Sequence, residues 1–405
     1  MKVAFLTNGT SPVPATKGGA VENLIEDLLE ENETKHYFDF TVFSLYEEEA
    51  KQQSKGYKNT SFYFVNPPKM IDCLDKGIYW IAKNLLKKKN LISYRYILRR
   101  LYVMSKFPKI LLENNFDRLV LVTNSTLFFV LKDKKVAQKY ENKTVYYLHN
   151  EVRSLFGCEK EAASIRYLIG ISEFVNDSFR RQVPAIKKEQ CYVLKNGIDT
   201  VKFTTRDERK IKEYKNKYGI TEKDFVVVFA GRLVDEKGAL ETIRAIKSCN
   251  DERIKLLIVG AGFYSSDIVD DYTLVLQKEA ECIKDRIIFT GYIDYNDMPS
   301  IYQLGNIAVL PSMWEEPAGM TMVEAVVSGL PLITTISGGI PEYISDDVAV
   351  LLNRDEDLVD NIRDAIVKIK EHPMEYDYMK KSREKFMEKY KLDKYYNDFA
   401  SIIMR

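Results

Sequence analysis

Two glutamates stand eight positions apart in the apolar stretch EEPAGMTMVEAVVSG, residues 315–329. Glu316 precedes a proline and a glycine. Glu324 lies inside a helix that the apolar pattern predicts to begin near Met320. Backbone N–H groups at a helix start attract anions, and a carboxylate roughly 6 Å further along the helix can accept two hydrogen bonds from a ribose diol. The N–H groups concerned belong to Gly319, Met320 and Thr321. The alternative is that Glu316 pairs locally and Glu324 is partly exposed.

Two cations, Arg232 and Lys237, follow the predicted strand FVVVFAG and precede a predicted helix. Arginine binds a phosphate through two N–H groups and lysine acts as a point charge, so the pair suits a diphosphate. Gly18 and Gly19 similarly separate the strand KVAFLT from the helix VENLIEDLLEE, where the backbone can approach an anion. The alternatives are two surface cations in the first case and a flexible loop in the second.

Apolar strands that alternate with amphipathic helices must position these residues. Strands are predicted at KVAFLT, FDFTVFS, SFYFV, RLVLVT, TVYYLHN, RYLIGIS and QCYVLKN, and then at FVVVFAG, KLLIVG, RIIFTGYI, NIAVLPS, PLITTIS and VAVLLN. The pattern predicts an α/β fold of two doubly wound, Rossmann-like domains. Ligands bind beyond the carboxyl ends of such strands, so two facing domains predict a cleft. The predicted parts are residues 1–195, residues 196–380, and a C-terminal helix in 381–405 that packs back towards the first domain.

Composition excludes several classes of protein. The chain has 405 residues, 45% of them hydrophobic, which suits two or three domains with sizeable cores. A net charge of +1 argues against nucleic acid as a general partner. The five cysteines form no C-x-x-C pair, so they give no zinc signal and favour a reducing compartment. Without a signal sequence or an 18-residue apolar run, the chain is expected to be cytoplasmic.

Several motifs carry a family resemblance. GRLVDEKG, IVGAG, FTGYI and PSMWEEPAGMTMVEAVVSGLPLITTISGGIPEYI, in this order and spacing, resemble the family 4 retaining glycosyltransferases of the GT-B fold. KGGAVENLIEDLL and the linker KNGID agree with it, and the resemblance is stronger in the second half of the chain. It implies an enzyme that transfers a hexose or N-acetylhexosamine from a nucleotide sugar, with UDP favoured. The implied role is synthesis of a bacterial surface polysaccharide such as lipopolysaccharide or capsule.

The resemblance also assigns residues. It implies that the second domain binds the donor and that the first faces the acceptor. Glu324 would hold the ribose hydroxyls, Glu316 would touch the donor sugar, and Arg232 and Lys237 would neutralise the departing diphosphate. The remaining donor-site positions are Gly18, Gly19 and Gly231, the backbone of Tyr292 and Ile293 at the base edge, and His149 at the transferred sugar. The alternative for His149 is a satisfied polar residue at a strand end.

No metal or other cofactor is expected, because cations and helix dipoles can stabilise the charge on a departing diphosphate. The acidic run Asp355-Glu356-Asp357 could pass for a metal motif. We interpret it instead as the start of a helix near residues 356–371, where acidic side chains favour the helix dipole. The absence of an obvious nucleophile favours attack by the acceptor hydroxyl from the face that the diphosphate leaves.

The segment 69–110 contains eleven lysines and arginines and only two aspartates, interleaved with apolar residues. A basic amphipathic stretch can lie on an anionic membrane surface. The hypothesis is peripheral attachment to the inner face of the cell membrane, with a lipid-linked saccharide as acceptor. The alternative is a pair of helices with a solvated basic face. Two other functions remain open: a nucleotide-sugar epimerase of the same fold, and a non-catalytic nucleotide-sugar binding protein.

Overall fold

The structure is a computed structural model, and it describes residues 1–84, 96–260 and 271–405. The motif IVGAG extends into 261–270 and the basic segment includes 85–95, so these parts of the two predictions lie outside the described residues. The chain divides into two compact units. The first unit comprises residues 1–197 and 392–405, and the second unit comprises residues 198–391. The sequence placed the corresponding boundaries at 195/196 and 380/381.

A parallel sheet forms the centre of the first unit. Its strands are β1 Lys2–Leu6, β2 Asp39–Leu45, β3 Thr60–Val65, β4 Arg118–Val122, β5 Thr144–Leu148, β6 Tyr167–Gly170 and β7 Cys191–Val193, in the order β3-β2-β1-β4-β5-β6-β7. Its helices are α1 Ala20–Lys35, α2 Glu48–Gln53, α3 Lys69–Asn84, α4 Ile97–Glu113, α5 Lys134–Lys139, α6 Glu159–Ala163 and α7 Glu173–Gln182. The apolar runs become strands because a parallel sheet is covered on both faces; all five residues of β5 are buried.

The second unit repeats this plan. Its helices are α8 Thr200–Thr204, α9 Glu208–Tyr218, α10 Ala239–Ser248, α11 Asp271–Ala280, α12 Met298–Tyr302, α13 Met320–Val327, α14 Ile340–Tyr343, α15 Leu358–Glu371 and α16 Asp377–Glu388. Its strands are β8 Phe225–Ala230, β9 Ile254–Val259, β10 Ile287–Gly291, β11 Ile307–Leu310, β12 Leu332–Thr335 and β13 Ala349–Leu352, in the order β10-β9-β8-β11-β12-β13. Every described pair of neighbouring strands is parallel, which confirms the two predicted Rossmann-like domains.

Each sheet reverses its strand order once, between β1 and β4 in the first unit and between β8 and β11 in the second. The connections on the two sides of such a reversal diverge and leave a crevice at the carboxyl ends of the strands. The predicted site residues follow strands at or beside these reversals. Arg232 follows β8 and Glu316 follows β11, whereas Gly18 follows β1 and His149 follows β5.

The last described helix, α17 Leu392–Ile403, belongs to the first unit. The Tyr395 hydroxyl lies 2.8 Å from that of Tyr147 on β5, and the Tyr396 hydroxyl donates to Asn32 Oδ1 on α1 at 2.6 Å. The ring of Phe399 stacks on that of Phe5 with 5.7 Å between centroids. This helix therefore completes the core of the first unit from the far end of the chain.

Helix α3 exposes apolar side chains on one face, with Met70 69%, Leu74 51% and Ile81 44% exposed. Its opposite face is buried and includes Asp75, whose carboxylate accepts the N–H groups of Leu98 and Arg99 near the start of α4. Among the described residues, none of the helices is both long and apolar enough to cross a membrane.

Candidate functional site

Lys237 and Glu316 meet at the carboxyl ends of β8 and β11. The Lys237 Nζ donates to Glu316 Oε2 at 2.5 Å, and the indole Nε1 of Trp314 donates to the same oxygen at 2.8 Å. The ammonium also lies 5.6 Å from the centre of the Trp314 ring. Because the two side chains are only 22% and 13% exposed, this ion pair is shielded from water. Glu316 therefore has one local partner, Trp314, as the alternative expected, and a second partner, Lys237, that lies 79 positions away in the sequence.

The loop that carries Glu316 is fixed by its neighbours. Glu315 forms an ion pair with Arg354, and its other oxygen accepts the Gly338 N–H at 2.6 Å. Gly338 has φ 53°, and a Cβ there would lie 2.4 Å from the carbonyl oxygen of Glu316. Only glycine fits such a close approach. The acid at 315 is thus held by structural partners, and Glu316 is the one beside Lys237.

Arg232 is half-buried in the turn after β8, next to Gly231. No ion pair of Arg232 is found within residues 1–84, 96–260 and 271–405, in contrast to Lys237. The two helices that follow these strands, α10 and α13, have Gly238 and Gly319 as their N-cap residues and therefore no side-chain cap. Elsewhere, Ser172 caps α7 with its side chain. Since the first N–H groups of a helix have no acceptor within it, both helix starts are suited to an anion.

Glu324 is buried on α13, with 7% exposed, so the expected alternative of partial exposure is wrong. The Tyr302 hydroxyl donates to Glu324 Oε2 at 3.1 Å. Burial raises the pKa of Glu324 to about 7, against smaller opposing effects of Tyr302, Tyr295 and Lys202. The Lys202 Nζ lies 4.3 Å from the centre of the Tyr295 ring and donates to Asn296 Oδ1 at 2.9 Å. The carboxyl group is therefore reached by hydroxyl donors but has no cation as its direct partner among the contacts described.

The remaining predicted donor positions are exposed or half-buried. Tyr292 follows β10 with 45% of its surface exposed, and Ile293 is half-buried. In the first unit, Gly18 and Gly19 lead directly into α1, which also has no side-chain cap. The structure places each of these predicted residues after a strand, as the sequence indicated, and their contact with a donor stays a prediction.

His149 is 4% exposed at the end of β5. Its Nδ1 lies 2.7 Å from Thr123 Oγ1, and its ring centre lies 4.1 Å from that of Tyr147. Burial lowers the pKa of His149 to about 3, so the ring is neutral at physiological pH. The buried Nε2 has no hydrogen-bond partner in the described part of the chain. Because a buried polar atom is normally paired, this nitrogen is the atom of the ring available to a ligand.

Sequence reasoning missed the residues that hold the predicted ones. Trp314 fixes Glu316, Tyr302 holds Glu324, and Thr123 holds His149. Tyr302 lies 22 residues before Glu324, and Thr123 lies 26 before His149, so only the pairing of strands and helices brings them together. Their types carry no signal of their own, because tyrosine, tryptophan and threonine at strand and helix ends are ordinary packing residues.

The described residues contain no group of three or more His, Cys, Asp or Glu side chains placed to hold a metal ion. Asp357 is the N-cap of α15, which begins at Leu358. The acidic run of residues 355–357 thus stands at a helix start, as expected.

Comparison with known proteins identifies the second unit. Residues 210–388 match the model of the family Glycosyl transferases group 1. This segment is similar to a glycosyl transferases group 1 domain. It contains Arg232, Lys237, Glu316 and Glu324 with the elements that hold them.

Similar proteins agree with this result. The chain is 28% identical over 365 residues to YtcC of Bacillus subtilis, which is named as a glycosyltransferase, covering 87% of this chain and 79% of YtcC. It is 24% identical over 236 residues to the lipopolysaccharide 1,2-N-acetylglucosaminetransferase of Salmonella typhimurium, covering 57% and 58% of the two chains. The crystal structure of Anabaena Alr3699/HepE with UDP has a TM-score of 0.72 at 17% identity, over 99% of both chains, which establishes a shared fold.

Proposed function

We propose that this protein is a retaining glycosyltransferase of family 4. It transfers a hexose or N-acetylhexosamine from a UDP-linked sugar to a saccharide acceptor that is attached to a lipid, in the synthesis of a cell-envelope polysaccharide. The proposal is supported by the glycosyl transferases group 1 domain and by relatives named as glycosyltransferases. Solved structures of similar fold were determined with UDP and with UDP-glucose.

One observation carries the proposal: Lys237 and Glu316 are in contact at the strand reversal of the second unit, where Arg232 and the starts of α10 and α13 also lie. Two cations and two helix N-termini suit a diphosphate. Glu324, one turn into α13, suits a ribose diol. A hydrolase that used Glu315 and Glu316 as its acid pair is disfavoured, because both carboxylate oxygens of Glu315 already have partners, Arg354 and the Gly338 N–H.

The chemistry follows from the charges. As the glycosidic C–O bond breaks, negative charge grows on the diphosphate, and Arg232, Lys237 and the helix N-termini stabilise it without reorganisation. In the free chain Lys237 forms an ion pair with Glu316. When the diphosphate binds, Lys237 pairs with the diphosphate instead. Glu316 keeps its hydrogen bond from Trp314 and can then accept a hydrogen bond from a sugar hydroxyl. The acceptor hydroxyl attacks from the face that the diphosphate leaves: its oxygen forms the new bond to the anomeric carbon, its proton passes to the departing diphosphate oxygen, and the configuration is retained. No metal is required for this charge balance.

Thermal unfolding with UDP, GDP, ADP and their sugars tests the proposal first. A ligand at about 100 times its Kd stabilises the native state by roughly 2.7 kcal/mol, and we expect this for one nucleotide only. Glu324→Gln should lose most of the shift, whereas the matched surface variant Glu371→Gln should keep it. No shift with any nucleotide would overturn the transferase proposal.

Turnover separates the alternatives. An epimerase would convert the bound sugar nucleotide in the absence of acceptor, and a binding protein would never turn it over. We expect release of the nucleoside diphosphate to depend on a lipid-linked saccharide. NMR of the product should give the same anomeric configuration as the donor; the opposite configuration would contradict the retaining mechanism.

We further propose that α3 attaches the protein to the anionic inner face of the cell membrane. Met70, Leu74 and Ile81 share an exposed face, Trp80 beside them is 59% exposed, and exposed Lys76 lies at the edge of this surface. Apolar side chains flanked by cations are the pattern of an interfacial helix. We expect sedimentation with phosphatidylglycerol vesicles at low salt and none with phosphatidylcholine vesicles.

The matched pair Met70→Ser and Met374→Ser tests the position of the membrane surface, because Met374 is 79% exposed in the second unit. Only Met70→Ser should weaken binding to the anionic vesicles. Equal sedimentation of both variants and the unmodified chain would locate the surface elsewhere, and no binding at low salt would remove the membrane proposal.

A further inference from the structure

Thr123, directly after β4, has a backbone conformation that its residue type disfavours. Its φ is 62°, in the left-handed region. A β-branched residue there is a genuine outlier. The other described non-glycine residues with positive φ are His36, Tyr96, Asn142 and Phe156, none of them β-branched. Such conformations persist where the surroundings over-determine them, and they cluster at functional sites.

Three contacts hold Thr123 in this conformation. Its N–H donates to the Tyr147 carbonyl oxygen at 2.7 Å, and its carbonyl oxygen accepts the Tyr146 hydroxyl at 2.5 Å. Its Oγ1 lies 2.7 Å from Nδ1 of His149. All three partners lie on or directly after the neighbouring strand β5, so the left-handed turn places the hydroxyl against the imidazole.

The same contact determines what the imidazole can offer. Nδ1 is engaged by the hydroxyl, while Nε2 is buried and has no partner among the described residues. The two nitrogens of a neutral imidazole have opposite roles, one as donor and one as acceptor, and the partner of one sets the role of the other. A threonine hydroxyl can donate to Nδ1 or accept from it, so the contact fixes the ring orientation, and the direction of this one hydrogen bond determines whether Nε2 is a donor or an acceptor.

We propose that Thr123 is a positioning residue, whose hydroxyl holds His149 in one orientation and one neutral tautomer so that Nε2 meets a hydroxyl of the transferred sugar. The part that concerns the sugar rests on the proposed function. The part that concerns the ring does not, because it can be measured without any ligand.

Nitrogen-15 NMR of histidine-labelled protein measures the tautomer directly. The chain has three histidines, and the exposed His36 and His372 serve as internal references. We expect the His149 nitrogens to give one protonated and one unprotonated signal, unchanged between pH 5 and 8. Thr123→Val and Thr123→Ala should move both signals towards intermediate values as the tautomers mix, and Thr123→Ser should restore the original pair.

A different result overturns the proposal. If both variants without a hydroxyl leave the His149 signals as in the unmodified chain, Thr123 does not hold the tautomer. If the signals already report a tautomer mixture before substitution, the ring is not fixed. Alanine lacks the branched side chain, so it provides the test even where valine fails to fold.

Turnover tests the consequence for the sugar. Thr123→Val should lower kcat about tenfold with little change in the donor Kd, and Thr123→Ser should recover most of the rate. Thr126→Val is the matched control, because it removes a hydroxyl that bonds Asn124 in the next loop, and it should leave kcat unchanged. Altered NMR signals with unchanged kcat would separate the two parts: Thr123 would hold the ring, and the role of His149 at the sugar would be wrong.

Discussion

His149 in the first unit and Glu324 in the second are built alike and behave differently. Each lies beside a strand reversal, each is less than a tenth exposed, and each is held by a neighbouring hydroxyl, from Thr123 and Tyr302 respectively. Burial favours the neutral form of both, since it removes water from the charged form. The pKa of His149 falls to about 3 and that of Glu324 rises to about 7.

The difference lies in where each group changes its charge. The imidazole is neutral throughout the physiological range, so it can act only as a fixed hydrogen-bonding group. The carboxyl group of Glu324 changes its charge near neutral pH, and its charged form lacks a direct cation partner among the contacts described. A ligand that donates two hydroxyl hydrogen bonds would provide what the free site lacks. Because each buried group resists becoming charged, the free energy of unfolding should fall in acid, where His149 would be protonated, and in base, where Glu324 would be deprotonated.

The largest effect is expected for the stability of Glu324→Gln at alkaline pH. The native pKa of about 7 lies above the ordinary value of 4.5, so the native state binds more protons between these values and stability falls as pH rises through this window. The full cost is on the order of 3 kcal/mol at pH 8. Denaturant unfolding should find the variant more stable by about that amount at pH 8 and nearly unchanged at pH 4. Glu371→Gln should show no such trend.

The second effect has the opposite sign and concerns His149→Gln. The native pKa of about 3 lies below the ordinary 6.5, so the unfolded state binds more protons below pH 6.5 and stability is lost as pH falls towards 3. Between pH 8 and pH 5 the variant should gain about 2 kcal/mol relative to the unmodified chain. His36→Gln and His372→Gln, at exposed positions, should gain little. An equal gain in stability for all three variants would contradict a special effect of burial on His149.

The third effect is on donor affinity. If Glu324 must be charged to accept a diol, a group with a pKa of about 7 predicts an affinity roughly tenfold lower at pH 6 than at pH 8. Calorimetry should use a UDP-sugar, since a terminal phosphate titrates with a pKa near 6 and would obscure the result. Glu324→Gln should bind weakly at both pH values. A flat profile for the unmodified chain would contradict the role of the carboxylate.

The smallest effect is expected for Tyr302→Phe. Its hydroxyl stabilises the charged carboxylate, so its removal raises the pKa of Glu324 further. The loss of donor affinity on acidification should then begin at a higher pH. Affinity near pH 7 should fall a few-fold, and the loss should shrink at pH 9. Tyr214→Phe removes another hydroxyl that donates to a carboxylate, that of Asp297 at 2.7 Å, and should leave the profile in place. A loss that does not depend on pH would indicate a packing defect.

The sequence allowed the fold to be predicted because its signals are local. Every run interpreted as a strand overlaps one, and the helix placed at MTMVEAVVSG begins at Met320 as expected. Apolar periodicity reports burial directly, and a parallel sheet places the carboxyl ends of neighbouring strands at one edge. The position of Arg232, Glu316 and His149 after strands could therefore be found without a structure.

The contacts around those residues could not be predicted, because they join distant parts of the chain. The ion pair between Lys237 and Glu316 spans 79 residues, and nothing in the sequence near either residue indicates its partner. The pKa of Glu324 depends on how completely α13 is buried, and no pattern in that stretch measures burial of one oxygen. The left-handed residue Thr123 is itself neither glycine nor asparagine, so its type did not predict this conformation, which is held by contacts with Tyr146, Tyr147 and His149.

Helix α17 has a consequence for the order in which the protein is made. Synthesis proceeds from the N-terminus, so all of residues 198–391 are made before residues 392–405, and until then the first unit lacks Tyr395, Tyr396 and Phe399 from its core. Until then, the apolar faces of α1 and β1 that these side chains cover remain open to chaperones or to other nascent chains. The half of the molecule that is translated first is thus the half that matures last.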